Sequence, residues 1–211
     1  MNRERRLVGT NSYSKDLGLD LVAMLTSAAS RDGEIAWLDL CCGAGRALVD
    51  AARLLDANPA TKGRVSITGV DLVASFDGPR DAVDGLQILE ANLERWEPDS
   101  AFDLVTCVHG LHYVGDKLGL IRRAVSWLRP GGVFLASLDL ANVRLEGGSS
   151  AARVVGAVFR ASGLQWNPRT RILRADGPRT LDTRMEFLGA DDAAGPNYTG
   201  QPAVNSHYRR R

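Results

Sequence analysis

Residues 38–55 read LDLCCGAGRALVDAARLL: an apolar run closing on an acidic residue, two cysteines, two spaced glycines, then a helical pattern. The apolar stretch at 35–40 is too short for a helix. Glycines follow it at once, and then apolar residues three and four apart, so the segment reads as a strand–turn–helix unit. That unit constrains the chain more than any other feature. A strand feeding a helix meets its next strand in parallel, through a crossover.

The neighbouring segments agree. Residues 16–29 place Leu17, Leu21, Met24, Leu25 and Ala28 on one helical face, and the 46–55 helix is stopped by Asn58-Pro59. Residues 64–70 alternate as a second strand ending at Asp71, 79–84 read as a short helix, and 86–89 as a third strand. FDLVTCV at 102–108 is apolar and β-branched, a central strand. Asp116 is placed to cap a helix carrying Leu118, Ile121, Val125 and Leu128, which Pro130-Gly131-Gly132 ends before a strand at 133–138. Alternating strands and helices predict an α/β fold, a mostly parallel sheet covered on both faces.

The last third differs. A helix is expected at 151–162, then strands at 171–175 and 184–189 around an Asp176-Gly177-Pro178 turn. They lie too close for a helical crossover, so they are expected to pair antiparallel. Residues 191–208 are polar and turn-rich without periodicity. No repeat or linker divides the chain, so 1–211 reads as a single domain with irregular ends, about 1–15 and 191–211, as lid or tail.

With 211 residues, 45% of them hydrophobic, the chain can bury one good core. Lys and Arg (26) nearly balance Asp and Glu (25), giving a net charge of +1. That balance gives no electrostatic reason for a nucleic-acid or membrane partner, and Arg209-Arg210-Arg211 reads as solvated. Three cysteines, two of them adjacent at 41 and 42, suit neither a disulfide framework nor a zinc site. Reduced thiols, no signal-peptide pattern and no 18-residue apolar run predict a cytoplasmic protein without a membrane span.

Gly43 and Gly45 leave the backbone bare where strand becomes helix, and helix N–H groups there are free to meet a ligand. A dinucleotide fingerprint would need a third glycine where Leu48 stands, and no G-K-[ST] follows for a phosphate loop. Asp39-Leu40-Cys41-Cys42-Gly43-Ala44-Gly45 instead resembles motif I of the class I S-adenosylmethionine-dependent methyltransferases, D/E-x-G-x-G-x-G, with cysteine for the first glycine. Asp71 stands where that family binds the ribose hydroxyls, with Leu72 beside it. Ala91-Asn92-Leu93-Glu94-Arg95-Trp96 resembles its A-D-L-x-x-W loop, Asn92 replacing the aspartate that reads the adenine amino group and Leu93 lying against the ring. Phe102-Asp103-Leu104-Val105 and Leu128-Arg129-Pro130-Gly131-Gly132 resemble its fourth strand and the turn before its fifth.

The resemblance covers about residues 34–140. It implies a Rossmann-like, seven-stranded, mostly parallel sheet with helices on both faces and an antiparallel C-terminal strand pair. It implies S-adenosylmethionine as cofactor and S-adenosylhomocysteine as product, held by Asp39, Cys41, Gly43, Gly45, Asp71, Leu72, Asn92 and Leu93. His109 and His112, after the fourth strand, fall where the methyl group points and are the candidate general bases, His109 also touching cofactor; the alternative is that the segment only packs over the cofactor and caps the following helix. Tyr13 either folds over the cofactor or belongs to an ordinary helix start capped by Ser12 or Ser14. Tyr113, Trp37, Trp127 and Trp166 read as core.

The [D/N/S]-P-P-[Y/F] motif of nucleic-acid amine methylation is absent from 108–113, and the fourth strand ends without the acidic ligands of a metal-dependent site. The expected reaction is methyl transfer to oxygen or nitrogen of a small-molecule acceptor. The polar, aromatic segment 197–208 would line the pocket or a homodimer contact, or else be disordered. The same residues also suit a fold descendant that binds cofactor or product without methyl transfer, as a cyclase or accessory subunit.

Overall fold

The computed structural model describes residues 5–73, 83–197 and 200–211. Two helices open it, α1 (Tyr13–Leu17) and α2 (Leu21–Asp32), where the pattern predicted one. Gly18, left-handed at φ 66°, ends the first, and the Asp20 side chain accepts from Ala23 N–H to start the second. The chain continues through β1 (Ile35–Leu40), α3 (Arg46–Asp56), β2 (Val65–Asp71), β3 (Leu86–Glu90) and β4 (Phe102–Cys107). Of the helix expected at 79–84, residues 79–82 lie outside the described residues, and 83–85 form a bend and turn.

Asp116 caps α4 (Lys117–Ser126) by accepting from Gly119 N–H. This helix stops two residues short of Leu128. Leu128 instead opens β5 (Leu128–Ser137), because Phe102 N–H donates to Trp127 C=O at 2.8 Å and draws the chain into the sheet there. Pro130-Gly131-Gly132 therefore lies inside the strand, at a register irregularity against Phe102–Leu104.

Then come β6 (Val143–Leu145), α5 (Ala152–Ala161), β7 (Gln165–Trp166), β8 (Ile172–Asp176), β9 (Met185–Asp191) and β10 (Asn205–Arg210). The large sheet has the order β3-β2-β1-β4-β5-β8-β7, parallel from β3 to β5 and antiparallel at β8 and β7. This is the expected seven-stranded sheet with an antiparallel end, but built from different strands. The segments expected to pair with each other separate. β8 joins β5 and β7, while β9 enters a second sheet ordered β6-β10-β9. Alternation identifies a strand but not its neighbour, which long-range contacts decide.

The C-terminal segment is likewise no loose tail. Its NSHYRR stretch carries one large apolar residue, Tyr208, too few to show periodicity, yet it pairs on both sides.

The large sheet separates two apolar cores. One gathers Leu21, Leu25, Leu48 and Trp37 under α1–α3; the other gathers Leu118, Ile121, Val155 and Phe159 under α4 and α5. Each fully buried large side chain contributes roughly 1.5–3 kcal/mol. With both faces covered, the carboxyl ends of the parallel strands remain the open crevice.

Candidate active site

The β1–α3 turn is three left-handed steps: Cys41 at φ 59°, Gly43 at 60° and Gly45 at 68°. Cys41 and Cys42 N–H both donate to Val70 C=O, tying the turn to β2. Asp71 braces it further, accepting from Gly43 N–H at 2.8 Å through Oδ2 and from Val73 N–H at 3.2 Å through Oδ1. Gly45 caps α3 without a side-chain acceptor, which leaves the first helical N–H groups for a ligand. Leu48, in the third-glycine position, is fully buried. A Cβ on Gly69 would come within 2.6 Å of its Cδ1, so β2 supplies the small residue that close helix–strand packing needs.

A cavity of about 400 Å³ opens above the strand ends. Cys41 and Gly43 form one wall, Asp71 and Leu72 the next, Asn92 and Leu93 a third, and His109 closes the side after β4. These seven sequence-named residues converge on one space. Four others do not line it. Gly45 opens α3. Asp39 lies beneath the turn, fully buried, accepting from Thr106 Oγ1 and, at 2.7 Å, from the Tyr13 hydroxyl. Burial first, then the nearby Asp71 charge, pushes the Asp39 carboxyl up to about 7 against those two hydrogen bonds. Tyr13 thus ties α1 to β1, and Ser12 is the helix cap, accepting from Lys15 N–H. His112 stands behind His109, ring centroids 5.8 Å apart.

Sequence reasoning missed Glu94, Gly110, Tyr113 and Gly115, all on the wall. The Asn92 side-chain oxygen accepts from Glu94 N–H in a local turn, while Glu94 Oε1 lies 3.3 Å from where a Cβ on Gly115 would sit. A carboxylate therefore stands beside Gly115 on the same cavity wall as the asparagine that replaces the family's aspartate; Glu94, two residues on in the sequence, was its signal. A Cβ on Gly110 would lie 2.3 Å from Cys41 Cβ and 2.8 Å from the sulfurs of Cys41 and Cys107, so only glycine passes the turn there. Tyr113, expected in the core, is 39% exposed at the mouth and donates to Gln201 Oε1 at 2.5 Å.

His109 is itself left-handed, at φ 58°, and its Nε2 lies 3.4 Å from Asp16 Oδ2, whose charge is engaged by Arg5. Burial, followed by Arg5, pushes its pKa down to about 4. His112 falls to about 4 as well, through burial and then His109, with Asp139 opposing. Both rings are neutral at neutral pH. Asp139 caps the following turn through Ala141 N–H and faces Arg171 at 3.8 Å.

The second sheet holds the far wall. Lys117 Nζ, fully buried, donates to Val114 C=O, Val204 C=O and Ser206 Oγ. Ser206 Oγ donates to Gly115 C=O, and the Tyr208 hydroxyl accepts from Leu118 N–H and donates to Asp116. β9 packs here too, since Phe187 and Ala190 would touch a Cβ on Gly115 at 3.6 and 3.7 Å.

A parallel sheet with bare glycine backbone at the first strand end and a carboxylate at the second defines a Rossmann-like nucleotide-cofactor protein. The cavity is of the size of small-ligand sites and is mainly apolar with a few placed polar groups, as a nucleoside cofactor requires. The family model described as a methyltransferase domain matches residues 15–189, and the chain belongs to that family, the class I S-adenosylmethionine-dependent methyltransferases.

Among relatives, trans-aconitate 2-methyltransferases of Escherichia coli O139:H28 and Shigella flexneri are 33% identical over 101 residues, 47% of this chain. The matched part spans only 37% of those proteins' length. Solved structures that resemble it include an O-methyltransferase family protein from Burkholderia thailandensis (18% identity, 76% of this chain, 57% of that one, TM-score 0.46). A sugar N-methyltransferase from Streptoalloteichus is also similar (20% identity, 57% and 47% covered, TM-score 0.42). Among the described residues, no helix is long and apolar enough to cross a membrane.

Proposed function

We propose that this protein transfers the methyl group of S-adenosylmethionine to an oxygen or nitrogen of a small-molecule acceptor entering beside His109 and Tyr113. The observation that carries this reading is the convergence of the turn, Asp71, Asn92-Leu93 and His109 on one cavity. In it, Asp71 accepts from the ribose hydroxyls while bracing Gly43, Leu93 lies against the adenine, and Asn92 with Glu94 faces the amino group. Cys41 and Gly43 flank the amino-acid part.

The bound cofactor supplies a methyl group already activated on a sulfonium, so the protein's part is alignment and exclusion of water. His109 is the side chain nearest the acceptor, with His112 packed behind it. Near pH 7 it is a neutral hydrogen-bond acceptor and a weak base. This favours an acceptor whose lone pair is free at neutral pH, a carboxylate oxygen or a weakly basic amine, over an alcohol. The trans-aconitate methyltransferases, by name, act on a small polycarboxylic acid. The balanced net charge supports a small molecule over nucleic acid.

The test is transfer of labelled methyl to a panel of carboxylic acids, amines, phenols and alcohols, with product release followed in parallel. Turnover on acids or weak amines is expected. Tight cofactor binding with no transfer to any class would sink the enzymatic reading.

A further inference from the structure

His109 stands on the cavity wall with 4% of its side chain exposed, and Asp16 Oδ2, from α1, lies 3.4 Å from its Nε2. The same oxygen is engaged by Arg5 Nη1. One carboxylate oxygen thus serves an imidazole and a guanidinium, brought together from three separate parts of the chain. The Arg5 side chain is only 9% exposed, so its pairing with Asp16 is not a solvated surface contact. The fold fixes its place. Arg6 Nε donates to Asp50 Oδ2 at 2.7 Å and Leu7 N–H to the same oxygen at 3.2 Å, which ties the opening segment to α3. Leu7 is fully buried, and the carbonyls of Arg6 and Leu7 accept from Tyr13 and Ser14 N–H, which ties the segment to α1. With residues 6 and 7 held on both sides, Arg5 is delivered to Asp16.

Alone, a carboxylate 3.4 Å from an imidazole favours the charged ring, and a guanidinium on the same oxygen opposes that field. We propose that Arg5 is a positioning residue for this wall: by occupying Asp16 it keeps the His109 ring uncharged at neutral pH, a hydrogen-bond acceptor rather than a cation. The use of the wall by a methyl acceptor rests on the Proposed function, while the linkage of Arg5, Asp16 and His109 does not. A neutral ring offers a lone pair to an N–H or O–H of the acceptor. A charged ring offers only N–H groups and adds a positive charge to the wall. Loss of Arg5 converts the first kind of wall into the second, because Asp16 is then left with His109 as its partner.

The remaining neighbours do not replace that control. His112, 5.8 Å away between ring centroids, is itself uncharged at neutral pH and has Asp139, Lys117 and Arg171 within electrostatic reach. Around the cavity, Asp71 and Glu94 are the acidic wall residues, and the Cys41 thiol and Tyr113 hydroxyl keep their protons. Of the charged groups, Asp16 and Arg5 are the pair that meets at the His109 ring. The low His109 pKa, about 4 through burial and then Arg5, agrees with this although a carboxylate adjoins the ring.

The experiment is an NMR titration of the histidine ring C–H signals of the full chain, from about pH 4 to 8. The chain has three histidines, so His109→Gln identifies the signal of interest. In Arg5→Met the His109 midpoint is expected to rise by at least about one pH unit, a tenfold gain in proton affinity. Arg5→Lys should keep most of the wild-type behaviour, and adding Asp16→Asn to Arg5→Met should cancel the rise. An unmoved His109 midpoint in Arg5→Met, or a rise that survives Asp16→Asn, overturns the proposal. Should Arg5→Met fail to fold, Arg5→Gln keeps a hydrogen-bond donor without the charge, and the same rise is required of it. The titration needs no ligand, so failure to methylate any acceptor would sink the Proposed function and leave this linkage standing. Where transfer is found, the acid limb of its pH profile must move up with the His109 midpoint in Arg5→Met. An unmoved limb overturns the role of Arg5 at the acceptor wall.

Discussion

The two ends of the cavity are built by opposite means. At the end proposed for the cofactor, residues 39–45 and 71–73 use backbone, with left-handed turns and N–H groups donated to Val70 C=O, and Asp71 folded onto Gly43. At the end proposed for the acceptor, residues 115–118 are held by side-chain hydrogen bonds to β10, some 90 positions away: Lys117 to Ser206, Tyr208 to Asp116, Ser206 to Gly115. The first end is a local motif bolted to one neighbouring strand. The second exists only once the C-terminal sheet has docked. A backbone-built site can hold a fixed cofactor, while a side-chain-built wall can change without disturbing it.

If that contrast is right, the largest effect comes where the two ends touch. Gly110→Ala would drive a methyl into Cys41 and is expected to weaken S-adenosylhomocysteine binding more than about 100-fold, with most of the loss restored in a Cys41→Gly background, as calorimetry would show. Independent, additive effects would break the comparison. Asp71→Ala should cost roughly 30- to 100-fold in the same assay, because a charged acceptor and the brace on Gly43 go together.

Lys117→Met removes three donated hydrogen bonds and should lower unfolding stability by about 2 kcal/mol in urea, while cofactor affinity falls no more than about threefold. A collapse of cofactor binding there would mean that the two ends are not separable.

The pH dependence is smaller. Both histidines have folded pKa values below their ordinary ones, so the unfolded chain takes up protons first on acidification. Stability should then fall between about pH 6.5 and 4, by up to roughly 3 kcal/mol per ring before the offset from Asp39. Asp39, with a raised folded pKa, has the opposite sign. Its ionised form is disfavoured in the fold, so it gains stability on acidification from about pH 7 and offsets part of the loss. Thermal melts of wild type and Asp39→Asn separate the two, the variant falling more steeply. Smallest of all, Cys41→Gly alone should raise stability by about 0.5–1 kcal/mol by relieving a left-handed β-carbon.

The same contrast decides what could be read in advance. β1, β2, β3, β4 and α3 lie where the pattern put them, to within a residue or two, because period and turn chemistry are properties of short segments. Cys41, Gly43, Asp71, Leu72, Asn92, Leu93 and His109 meet at one cavity because each closes or follows a parallel strand, and strand ends share one side of the sheet. Gly110 and Tyr113 were unreadable: one is small because of a cysteine 69 positions earlier, the other exposed because Gln201 meets it at the mouth.

The sequence by itself therefore determined the parallel sheet, the cofactor class through the family resemblance of its motifs, and most of the residues that meet at the cavity wall. Tertiary structure alone decided that β8 turns to β5 while β9 leaves for a second sheet, and that Tyr13 and Asp39 lock together beneath the turn. It also made the polar stretch 205–210 a strand whose Ser206 and Tyr208 hold Gly115, Asp116 and Leu118 beside the cavity. Those choices depend on which distant surfaces bury together and which polar groups find partners there, and no short window of residues carries that information.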